Sequence, residues 1–451
     1  MEIKNQPVLV LGAARSGMAA IRVLASRGAK ITLNESKPLE ALSEREELER
    51  LGVEIVAGGQ PSELFERDFA FVVKNPGIKY TEWFIERLED RGIPIYTEIE
   101  LAYQLASWHH YLAVTGTNGK TTTVTLIGEI LKKAFPGRTY VAGNIGTPLC
   151  EVLLEEKLDE RQDCYLVLEM SNFQLLNIDQ FKPEVATIIN LTPDHLDYMR
   201  SLDEYYASKT RIYMNQDRQD QFVLNEDDPM ILEYMKQYPP HASIIPLTMQ
   251  ETKRIGRYHL ADGWIMDRDQ KVLALDKIQM VGRQNIQNVM IAIAFAKAVG
   301  VTNEVINDVI SHFPGVEHRV EFVRELDGVR YYNDSKGTNT DATIVAVESF
   351  TQPVILLVGG KEKNLPMDEL KKHLGHVKQV IGYGACGKRL VDDLVGEEGL
   401  YYPTMDEALA KARSLAKAGD VVLLSPTTSS FDQFHSFEER GTYFKKCVMS
   451  M

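Results

Sequence analysis

Residues 113–123 read AVTGTNGKTTT, which is the most informative segment of the chain for its fold. The apolar run YLAV at 111–114 leads into it, and the helix-forming TLIGEIL at 125–131 follows it. Gly116 and Gly119 allow successive backbone N–H groups to turn toward a phosphate. The pattern predicts a phosphate-binding loop between a strand and a helix, as in nucleotide-binding α/β proteins.

Two side chains at the end of this loop fit the same chemistry. Lys120 supplies a positive charge for phosphate oxygens, and the Thr121 hydroxyl can complete the oxygen shell of a Mg²⁺ ion. Val114 stands where the longer GxxxxGK[ST] motif has its first glycine, so the loop is a shorter GTNGKT variant. The alternative is a plain strand-to-helix turn that carries a surface lysine.

The composition is that of a globular protein with several domains. The 451 residues exceed what one hydrophobic core usually organises, and 44% are hydrophobic while 25% are charged. A net charge of −14 argues against nucleic-acid binding, which needs a basic surface. No apolar stretch has the length of a membrane span, and the start, MEIKNQPVLVLG, reads as a strand and not as a signal peptide. The four cysteines form no CxxC pair, which favours reduced thiols in the cytoplasm.

Short apolar runs alternate with amphipathic stretches along the chain, which predicts an α/β fold. We expect three domains: a Rossmann-like N-terminal domain at 1–98, a central P-loop ATPase-like domain with a mostly parallel sheet at 99–315, and a C-terminal Rossmann-like domain at 316–451. Pro314-Gly315 is a natural hinge before the third domain. Residues 239–278 are compatible with a small antiparallel flank and suggest no chemistry.

The first turn of the chain fits a second nucleotide-binding pattern. Residues 12–17 read GAARSG, which matches G-x-G/A-x-x-G with Ala14 in place of the middle glycine. Asn34 and Glu35 end the second apolar run, where a dinucleotide site presents its ribose-binding acid. The alternative is a tight turn that packs a helix on a strand and binds nothing.

Polar residues recur at the carboxyl ends of the central strands, where open α/β sheets bind ligands. Asn144, Glu169 and His195 occupy such positions. Glu169 is suited to hold Mg²⁺ through an oxygen, although alone it also reads as a solvated carboxylate. His195 could bind a second metal or orient a phosphate oxygen, or Asp194 beside it could simply cap a helix. Lys209 lies on an amphipathic helix, and its spacing alone indicates a surface lysine.

Charged groups also follow two predicted strands of the C-terminal part. Asp334-Ser335-Lys336 follows VRYYN, and Lys361 and Lys363 follow VILLVGG. Lysines at neighbouring strand ends could neutralise the outer phosphates of a nucleotide, or they could be solvated. Arg319 suits a bidentate phosphate or carboxylate clamp, or a structural salt bridge. Residues 425–441 contribute hydroxyls that could hold a small carboxylate, and phenylalanines that are typical of a core.

Together these segments resemble the Mur ligase family, the ATP-dependent amide-forming enzymes of peptidoglycan precursor synthesis. The resemblance covers essentially the whole chain and rests on GTNGKTT, GNIG, TPDHLD, HRVE, NDSKGTN, GGKEKN and SPTTSSFDQF, with the strand end at Glu169 and the helical Lys209. EMSNFQL and SFDQFHSFEERG are most similar to the branch that adds D-glutamate to UDP-N-acetylmuramoyl-L-alanine. The DNPR-type motif of the diaminopimelate-adding and lysine-adding branches is missing from the sequence.

The resemblance implies a role for each matching position. ATP would be bound by Gly116, Thr117, Asn118, Gly119, Lys120, Thr121, Thr122, Asn285, Asn288, Arg319, Asp334 and Lys336. The UDP-sugar would be bound by Gly12, Ala14, Arg15, Ser16, Gly17, Asn34, Glu35, Asn75 and Asn144. The incoming amino acid would contact Lys363, Ser430, Phe431 and Phe437. Two Mg²⁺ ions would be held by Thr121, Glu169, His195 and a CO₂-derived carbamate on Lys209, and the catalytic groups would be Lys120, Glu169, His195 and Lys209.

The family further implies a monomeric, cytoplasmic enzyme whose partners are ATP, UDP-N-acetylmuramoyl-L-alanine and D-glutamate, without nucleic acid or membrane. ATP would phosphorylate the substrate carboxylate, and the D-glutamate amine would attack the acyl phosphate through a tetrahedral intermediate. Alternatives stay open at this point. Another Mur ligase or a folylpolyglutamate synthase would share the fold and the chemistry. An NAD-dependent oxidoreductase would explain only the turn at 12–17, and a non-catalytic nucleotide sensor could use the same fold.

Overall fold

The computed structural model describes residues 1–193, 199–251 and 256–451. Within these residues the strands form three sheets, and helices alternate with the strands along the chain. The predicted α/β class with parallel-rich sheets is therefore confirmed. The chain divides into two compact units. One comprises Met1–Ala274 and Asn288–Val309, and the other comprises Leu275–Gln287 and Ile310–Met451. The domain boundaries at 98/99 and 315/316 stay a prediction.

The first sheet consists of five parallel strands in the order β3-β2-β1-β4-β5. They are β1 (Pro7–Leu11), β2 (Lys30–Glu35), β3 (Glu54–Ala57), β4 (Phe71–Lys74) and β5 (Ile95–Tyr96), with helices α1 (Arg15–Ser26), α2 (Arg45–Arg50), α3 (Trp83–Asp90) and α4 (Glu98–Leu105). The last four residues of β1, VLVL, are all buried, as expected for a strand covered on both faces. The strand order reverses between β1 and β4, so the loops after these two strands open a crevice.

The second sheet consists of nine strands in the order β14-β13-β12-β11-β10-β9-β6-β8-β7. They are β6 (His110–Thr115), β7 (Thr139–Gly143), β8 (Tyr165–Glu169), β9 (Val185–Ile188), β10 (Gln221–Asn225), β11 (Ser243–Leu247), β12 (Tyr258–Ala261), β13 (Trp264–Asp267) and β14 (Gln270–Ala274). Neighbours from β7 to β12 run parallel, and β12, β13 and β14 pair antiparallel. The antiparallel pairs lie inside the stretch 239–278 that turn residues had suggested as a flank.

Several helices connect the strands of the second sheet. They are α5 (Lys120–Ala134), α6 (Leu149–Glu155), α7 (Asn172–Leu175), α8 (Leu202–Thr210) and α9 (Pro229–Gln237), and α10 (Arg283–Ala298) and α11 (Asn303–His312) follow along the chain. Strand β6 lies between β8 and β9. Because parallel strands end at the same edge, the loops after β6, β8 and β9 meet there.

The third sheet consists of six strands in the order β15-β16-β20-β17-β18-β19. The strands are β15 (Glu321–Leu326), β16 (Val329–Asn333), β17 (Val354–Gly359), β18 (Val377–Tyr383), β19 (Leu400–Tyr402) and β20 (Val421–Leu424), and the helices are α12 (Thr340–Glu348), α13 (Asp368–Lys372), α14 (Gly384–Val395), α15 (Met405–Leu415) and α16 (Phe437–Met449). Only β15 pairs antiparallel among the described strands of this sheet. Strands β16, β20 and β17 are adjacent and parallel, so the loops that follow them lie side by side.

Helix α6 packs against α1 and α4 and so joins the first two sheets into one hydrophobic core. Glu98, at the start of α4, is 1% exposed, and its Oε2 accepts the backbone N–H of Cys150 at 2.9 Å. The Cys150 thiol donates in return to the Glu98 carbonyl at 3.1 Å. Burial raises the pKa of the Glu98 carboxyl to about 7, although the N–H groups at the start of α6 oppose the shift.

Glu98→Gln is expected to flatten the dependence of stability on pH. A pKa raised from about 4.5 to about 7 adds stability that is complete below pH 4.5 and is lost as pH rises through 7, which amounts to about 3 kcal/mol. Urea unfolding of both proteins at pH 5 and pH 8 measures the difference, and the variant should lose less stability between them. The exposed Glu155, at the end of α6, gives a control, Glu155→Gln. An unchanged slope in Glu98→Gln contradicts the prediction.

Every helix in the described part of the chain is too short or too polar to cross a bilayer.

Candidate active site

The phosphate loop predicted from the sequence connects β6 to α5, as expected. Gly116 and Gly119 both have positive φ, at 150° and 85°. A Cβ at Gly116 would lie 3.1 Å from Ile189 Cβ and 3.2 Å from Ile189 N, so the loop can follow this path beside β9 only with glycine. Gly119 is the N-cap residue of α5 and, as a glycine, has no side chain that could cap the helix. The start of a helix carries a partial positive charge, which favours an anion at this loop.

Two lysines converge on one carbonyl oxygen of this loop. Lys120 Nζ donates to Gly116 O and Thr117 O, both at 2.8 Å, and Lys209 Nζ donates to Gly116 O at 3.1 Å. Lys209 is 1% exposed, and its ammonium lies 4.6 Å from the centre of the Tyr205 ring. The interpretation of Lys209 as a surface lysine is wrong. Helix α8 carries this side chain into the phosphate loop, which places two positive charges beside any anion bound there.

Glu169 lies beside the same loop, at the end of β8. It is 2% exposed, so it is not a solvated carboxylate. Its Oε2 accepts the Thr121 hydroxyl at 2.9 Å, and its Oε1 accepts the Asn144 amide at 2.8 Å. The structure thus brings Asn144, which the resemblance had assigned to the UDP-sugar, into hydrogen-bond contact with Glu169.

This oxygen-rich set fits a magnesium ion. Mg²⁺ prefers carboxylate and hydroxyl oxygens at about 2.1 Å in octahedral geometry, which separates neighbouring ligand oxygens by about 3 Å. The Thr121 hydroxyl and the Glu169 carboxylate oxygen are separated by 2.9 Å. Replacement of their mutual hydrogen bond by an ion therefore needs little movement of either side chain.

Asn190 is a loop residue that our sequence analysis missed. Its Oδ1 accepts the backbone N–H groups of Thr117 at 3.1 Å and Asn118 at 2.9 Å. The Thr117 hydroxyl also donates to Thr192 O at 3.0 Å. Asn190 follows β9, so the rule that polar residues at strand ends form the site could have identified it. His195, predicted as a metal ligand from the same segment, lies outside the described residues.

Helix α10 carries the two asparagines predicted to bind the nucleotide. Asn288 Oδ1 accepts the Thr123 hydroxyl at 3.2 Å, and a Cβ at Gly119 would lie 2.7 Å from the same oxygen. Asn288 therefore lies directly behind the phosphate loop. Asn285 donates its amide to Val281 O at 2.7 Å.

A cavity of about 850 Å³ lies at the crevice of the first sheet. Of the residues assigned to the UDP-sugar, it is lined by Gly12, Ala14, Arg15, Asn34, Glu35 and Asn75, whereas Ser16 and Gly17 do not line it. Its volume lies within the range of small-molecule sites. The Asn75 amide nitrogen is buried there without a hydrogen-bond partner among the described residues. A polar group of this kind gains from a ligand acceptor.

Two of the assigned side chains in this cavity are bonded to the backbone. The Asn34 amide donates to Val56 O at 3.1 Å and Gly59 O at 2.8 Å, and Glu35 Oε2 accepts the Ala13 N–H at 2.8 Å. These bonds fix the loops that form the cavity wall.

In the third sheet, Asp334 directly follows β16 and is buried. Its Oδ2 accepts the Ser425 hydroxyl at 2.7 Å, and its Oδ1 accepts the Val320 N–H at 3.2 Å. Burial raises the pKa of the Asp334 carboxyl to about 7, although Ser425 and the charge of Arg319 act against the shift. Lys336 Nζ lies 5.1 Å from the centre of the Phe437 ring. The structure thus brings Arg319 and Lys336 to the same strand end as Asp334.

Of the residues assigned to the amino acid, Lys363 lies on the loop after β17, Ser430 and Phe431 lie on the loop after β20, and Phe437 begins α16. Lys363 Nζ donates to Thr338 O at 2.8 Å. Ser430 is buried, Phe431 is 63% exposed and Phe437 is half-buried. The interpretation of the phenylalanines as core residues therefore does not hold for Phe431.

Arg440 is a second residue that sequence analysis missed. Its guanidinium is fully buried and donates to Ser335 Oγ at 2.9 Å, Ser335 O at 2.7 Å and Thr428 O at 3.2 Å. It therefore ties the loop after β16 to the loop after β20. The sequence did not predict that this arginine is buried, because its neighbours in the segment SFEERG include two glutamates, which are typical of an exposed helix face.

Two domain families of known proteins match this chain, one over the phosphate loop and one over the third sheet. The Mur ligase middle domain matches residues 114–296, and the glutamate ligase domain of Mur ligases matches residues 318–428. The UDP-N-acetylmuramoylalanine--D-glutamate ligase of Geobacillus kaustophilus (strain HTA426) is 40% identical over 450 residues, which cover 99% of this chain and 98% of that protein. The protein of the same name from Bacillus subtilis (strain 168) is 38% identical over 451 residues, with 99% and 98% covered.

Solved structures share the fold over the whole length. MurF ligase from Thermotoga maritima in complex with ADP is 18% identical with a TM-score of 0.62, and the match covers 100% of this chain and 96% of that chain. UDP-N-acetylmuramate-alanine ligase from Thermotoga maritima is 19% identical with a TM-score of 0.59, covering 99% and 100%.

Proposed function

This chain belongs to the Mur ligase family, and from that membership we propose that it joins D-glutamate to UDP-N-acetylmuramoyl-L-alanine, with ATP as the energy source, in peptidoglycan precursor synthesis. The observation that carries the proposal is identity of about 40% over 99% of the chain with ligases of that specificity. The convergence of Lys120, Lys209 and Glu169 at the phosphate loop supports the same chemistry. The oxidoreductase, the nucleotide sensor and the folylpolyglutamate synthase are not favoured.

Each substrate is assigned a separate region. We place the UDP-sugar in the cavity of the first sheet and the ATP phosphates on the loop at 116–122. Asn285, Asn288, Arg319, Asp334 and Lys336 stay predictions as further nucleotide residues. D-Glutamate is assigned to Lys363, Ser430, Phe431 and Phe437, because an ammonium and a hydroxyl suit its carboxylates.

Mur ligases use ATP with Mg²⁺. Thr121 and Glu169 would hold one ion, and we propose a second ion held by His195 and a carbamate on Lys209. The carbamate forms when the neutral Lys209 amine adds to CO₂ and releases one proton, which turns a cation into an oxygen ligand. Bound Mg²⁺ supplies positive charge that stabilises the phosphoryl oxygens during transfer.

The chain's own residues support a three-step reaction. The substrate carboxylate attacks the γ-phosphorus of ATP, which gives an acyl phosphate and ADP. Lys120 and the first N–H groups of α5 stabilise the charge that moves onto the bridging and terminal oxygens. The D-glutamate amine then attacks the acyl carbon and loses a proton, and the tetrahedral intermediate expels phosphate.

Phosphate release in the presence of all three substrates tests the proposal. We expect release that depends on ATP, Mg²⁺, UDP-N-acetylmuramoyl-L-alanine and D-glutamate together, and omission of any one should abolish it. L-Glutamate and a folate acceptor serve as controls for specificity. Folded protein that releases no phosphate with the complete mixture refutes the assignment.

We also propose that the protein acts as a monomer in the cytoplasm, where ATP and UDP-linked sugars are available. Cys150, Cys164, Cys386 and Cys447 are free thiols, which suits a reducing compartment. Sedimentation of the purified protein with and without ADP measures the oligomeric state, and a stable dimer refutes the monomer.

A further inference from the structure

The loop that carries Lys363 has an unusual backbone. It connects β17 to α13, and Gly359, Gly360 and Asn364 have positive φ angles of 146°, 138° and 53°. A Cβ at Gly359 would lie 2.0 Å from Tyr383 O, and a Cβ at Gly360 would lie 2.1 Å from Ser429 O. The start of the loop is therefore pressed against neighbouring backbone, and only glycine fits.

Hydrogen bonds hold this first half of the loop in place. Lys361 N donates to Ser429 O at 2.8 Å, and Cys386 N donates to Gly360 O at 3.0 Å. The second half, which includes Lys363, is exposed. Its order must therefore come from another contact.

Glu362 provides that contact. Its Oε1 accepts the backbone N–H groups of Lys363 at 2.9 Å and Asn364 at 2.6 Å, so the carboxylate closes the turn in which Lys363 lies. Arg389 on α14 donates two hydrogen bonds of 2.7 Å to the same carboxylate, from Nε to Oε2 and from Nη2 to Oε1. Arg389 is itself held by Asp393 through a 2.6 Å bond from Nη1. The turn is thus anchored to a helix by a charge-assisted, bidentate pair.

The Glu362 carboxylate stays ionised at any working pH. Its hydrogen bonds with Arg389 lower the pKa of Glu362 to about 2. An isolated surface ion pair contributes little, but this carboxylate also accepts two backbone N–H groups, which fixes the chain on both sides of Lys363.

We propose that Glu362, held by Arg389, is a positioning residue that sets the place of the Lys363 ammonium and thereby the KM for D-glutamate. The inference rests on the proposed function, because it takes Lys363 as a contact of the incoming amino acid. Lys363 Nζ donates to Thr338 O, so displacement of the turn moves the ammonium away from the loop that follows β16. Neither Glu362 nor Arg389 is assigned a contact with ATP or the UDP-sugar.

The test compares KM and kcat for each substrate in Glu362→Gln and Arg389→Met, in the full-length protein. We expect KM for D-glutamate to rise about tenfold in both, with kcat and the KM for ATP within twofold of wild type, because ground-state binding is lost. The double variant should be no worse than either single variant, since the two residues act as one unit. Arg389→Lys should recover part of the loss.

A matched control lies on the same helix. Lys388 and Asp392 form an exposed pair one turn apart, with side chains 65% and 49% exposed, and the described contacts of Asp392 do not include the loop. Asp392→Asn should leave all KM values unchanged. Thermal unfolding of each variant separates loss of folding from loss of position.

The outcomes separate this inference from the proposed function. Wild-type protein without D-glutamate-dependent phosphate release refutes the function before any variant is measured. Active wild type with an unchanged KM for D-glutamate in Glu362→Gln overturns only the role of Glu362. A parallel rise of all three KM values with a lower melting temperature also overturns it, because that pattern indicates general destabilisation.

Discussion

Lys120→Ala is expected to lower the rate of D-glutamate-dependent phosphate release by about a thousandfold or more, with the fold intact. The Lys120 ammonium reaches the Gly116 and Thr117 carbonyls at the mouth of the phosphate loop, where a triphosphate would replace them as its partner. Removal of one preorganised charge that stabilises a transition state costs about a hundredfold to a thousandfold, and weaker ATP binding adds to the loss. Steady-state kinetics with saturating D-glutamate measure the effect.

Lys132→Ala is the matched control for this change. Lys132 lies on the same helix, with its side chain 51% exposed, and pairs with Glu129 at 2.9 Å. Its replacement should leave the rate within twofold of wild type, and circular dichroism should show both variants folded. If Lys120→Ala keeps a tenth of the wild-type rate, the phosphate role of Lys120 is wrong.

Lys209→Ala is expected to cause a loss of similar size that short carboxylates partly reverse. The side chain is 1% exposed and ends at Gly116 O, so alanine leaves a small buried space beside the phosphate loop. If the lysine works as a carbamate, acetate or formate can enter this space and restore an oxygen ligand. Activity of the variant should rise several-fold with added carboxylate, and activity of the wild type should fall in bicarbonate-depleted buffer.

Lys120→Ala tests the specificity of this rescue. Acetate should not restore it, because that variant lacks a positive charge and not an anion. The carbamate is ruled out if Lys209→Ala stays inactive at every carboxylate concentration and wild-type activity does not depend on bicarbonate. Lys209 would then act as a cation beside the phosphates.

Local chemistry made the phosphate loop predictable. Two glycines, Lys120 and Thr121 lie within a few residues of each other, and the positive φ angles of the glycines and the bonds of Lys120 to Gly116 O and Thr117 O lie within that short segment. The α/β class followed in the same way, from apolar runs that the structure shows as buried parallel strands. Spacing along one strand or turn was enough in these cases.

Contacts between distant segments could not be predicted from spacing. Lys209 is 93 residues from Gly116, and the spacing of residues in its helix does not distinguish it from a surface lysine. Arg440 is 105 residues from Ser335, and Asn190 reaches back 72 residues to Asn118. Such contacts depend on the order of strands in the sheet, which the spacing of residues along the chain does not reveal.

Two asparagines of the first sheet that have the same predicted role differ in their hydrogen bonds. Asn34 lies near the end of β2 and Asn75 directly follows β4, yet the Asn34 amide is bonded to two backbone carbonyls and the Asn75 amide nitrogen is buried in the cavity without a described partner. The difference arises from the backbone of the neighbouring loops. Resemblance to a family assigns both residues to one ligand, whereas their contacts differ.

The glycine pair before Lys363 also bears on drug resistance. Any side chain at Gly359 or Gly360 would collide with a main-chain carbonyl oxygen, that of Tyr383 or Ser429. Because a main-chain atom cannot be removed by mutating its own residue, neither collision is easily relieved by a second substitution. An inhibitor that rests on these two residues would leave a bacterium few viable mutations by which to escape it.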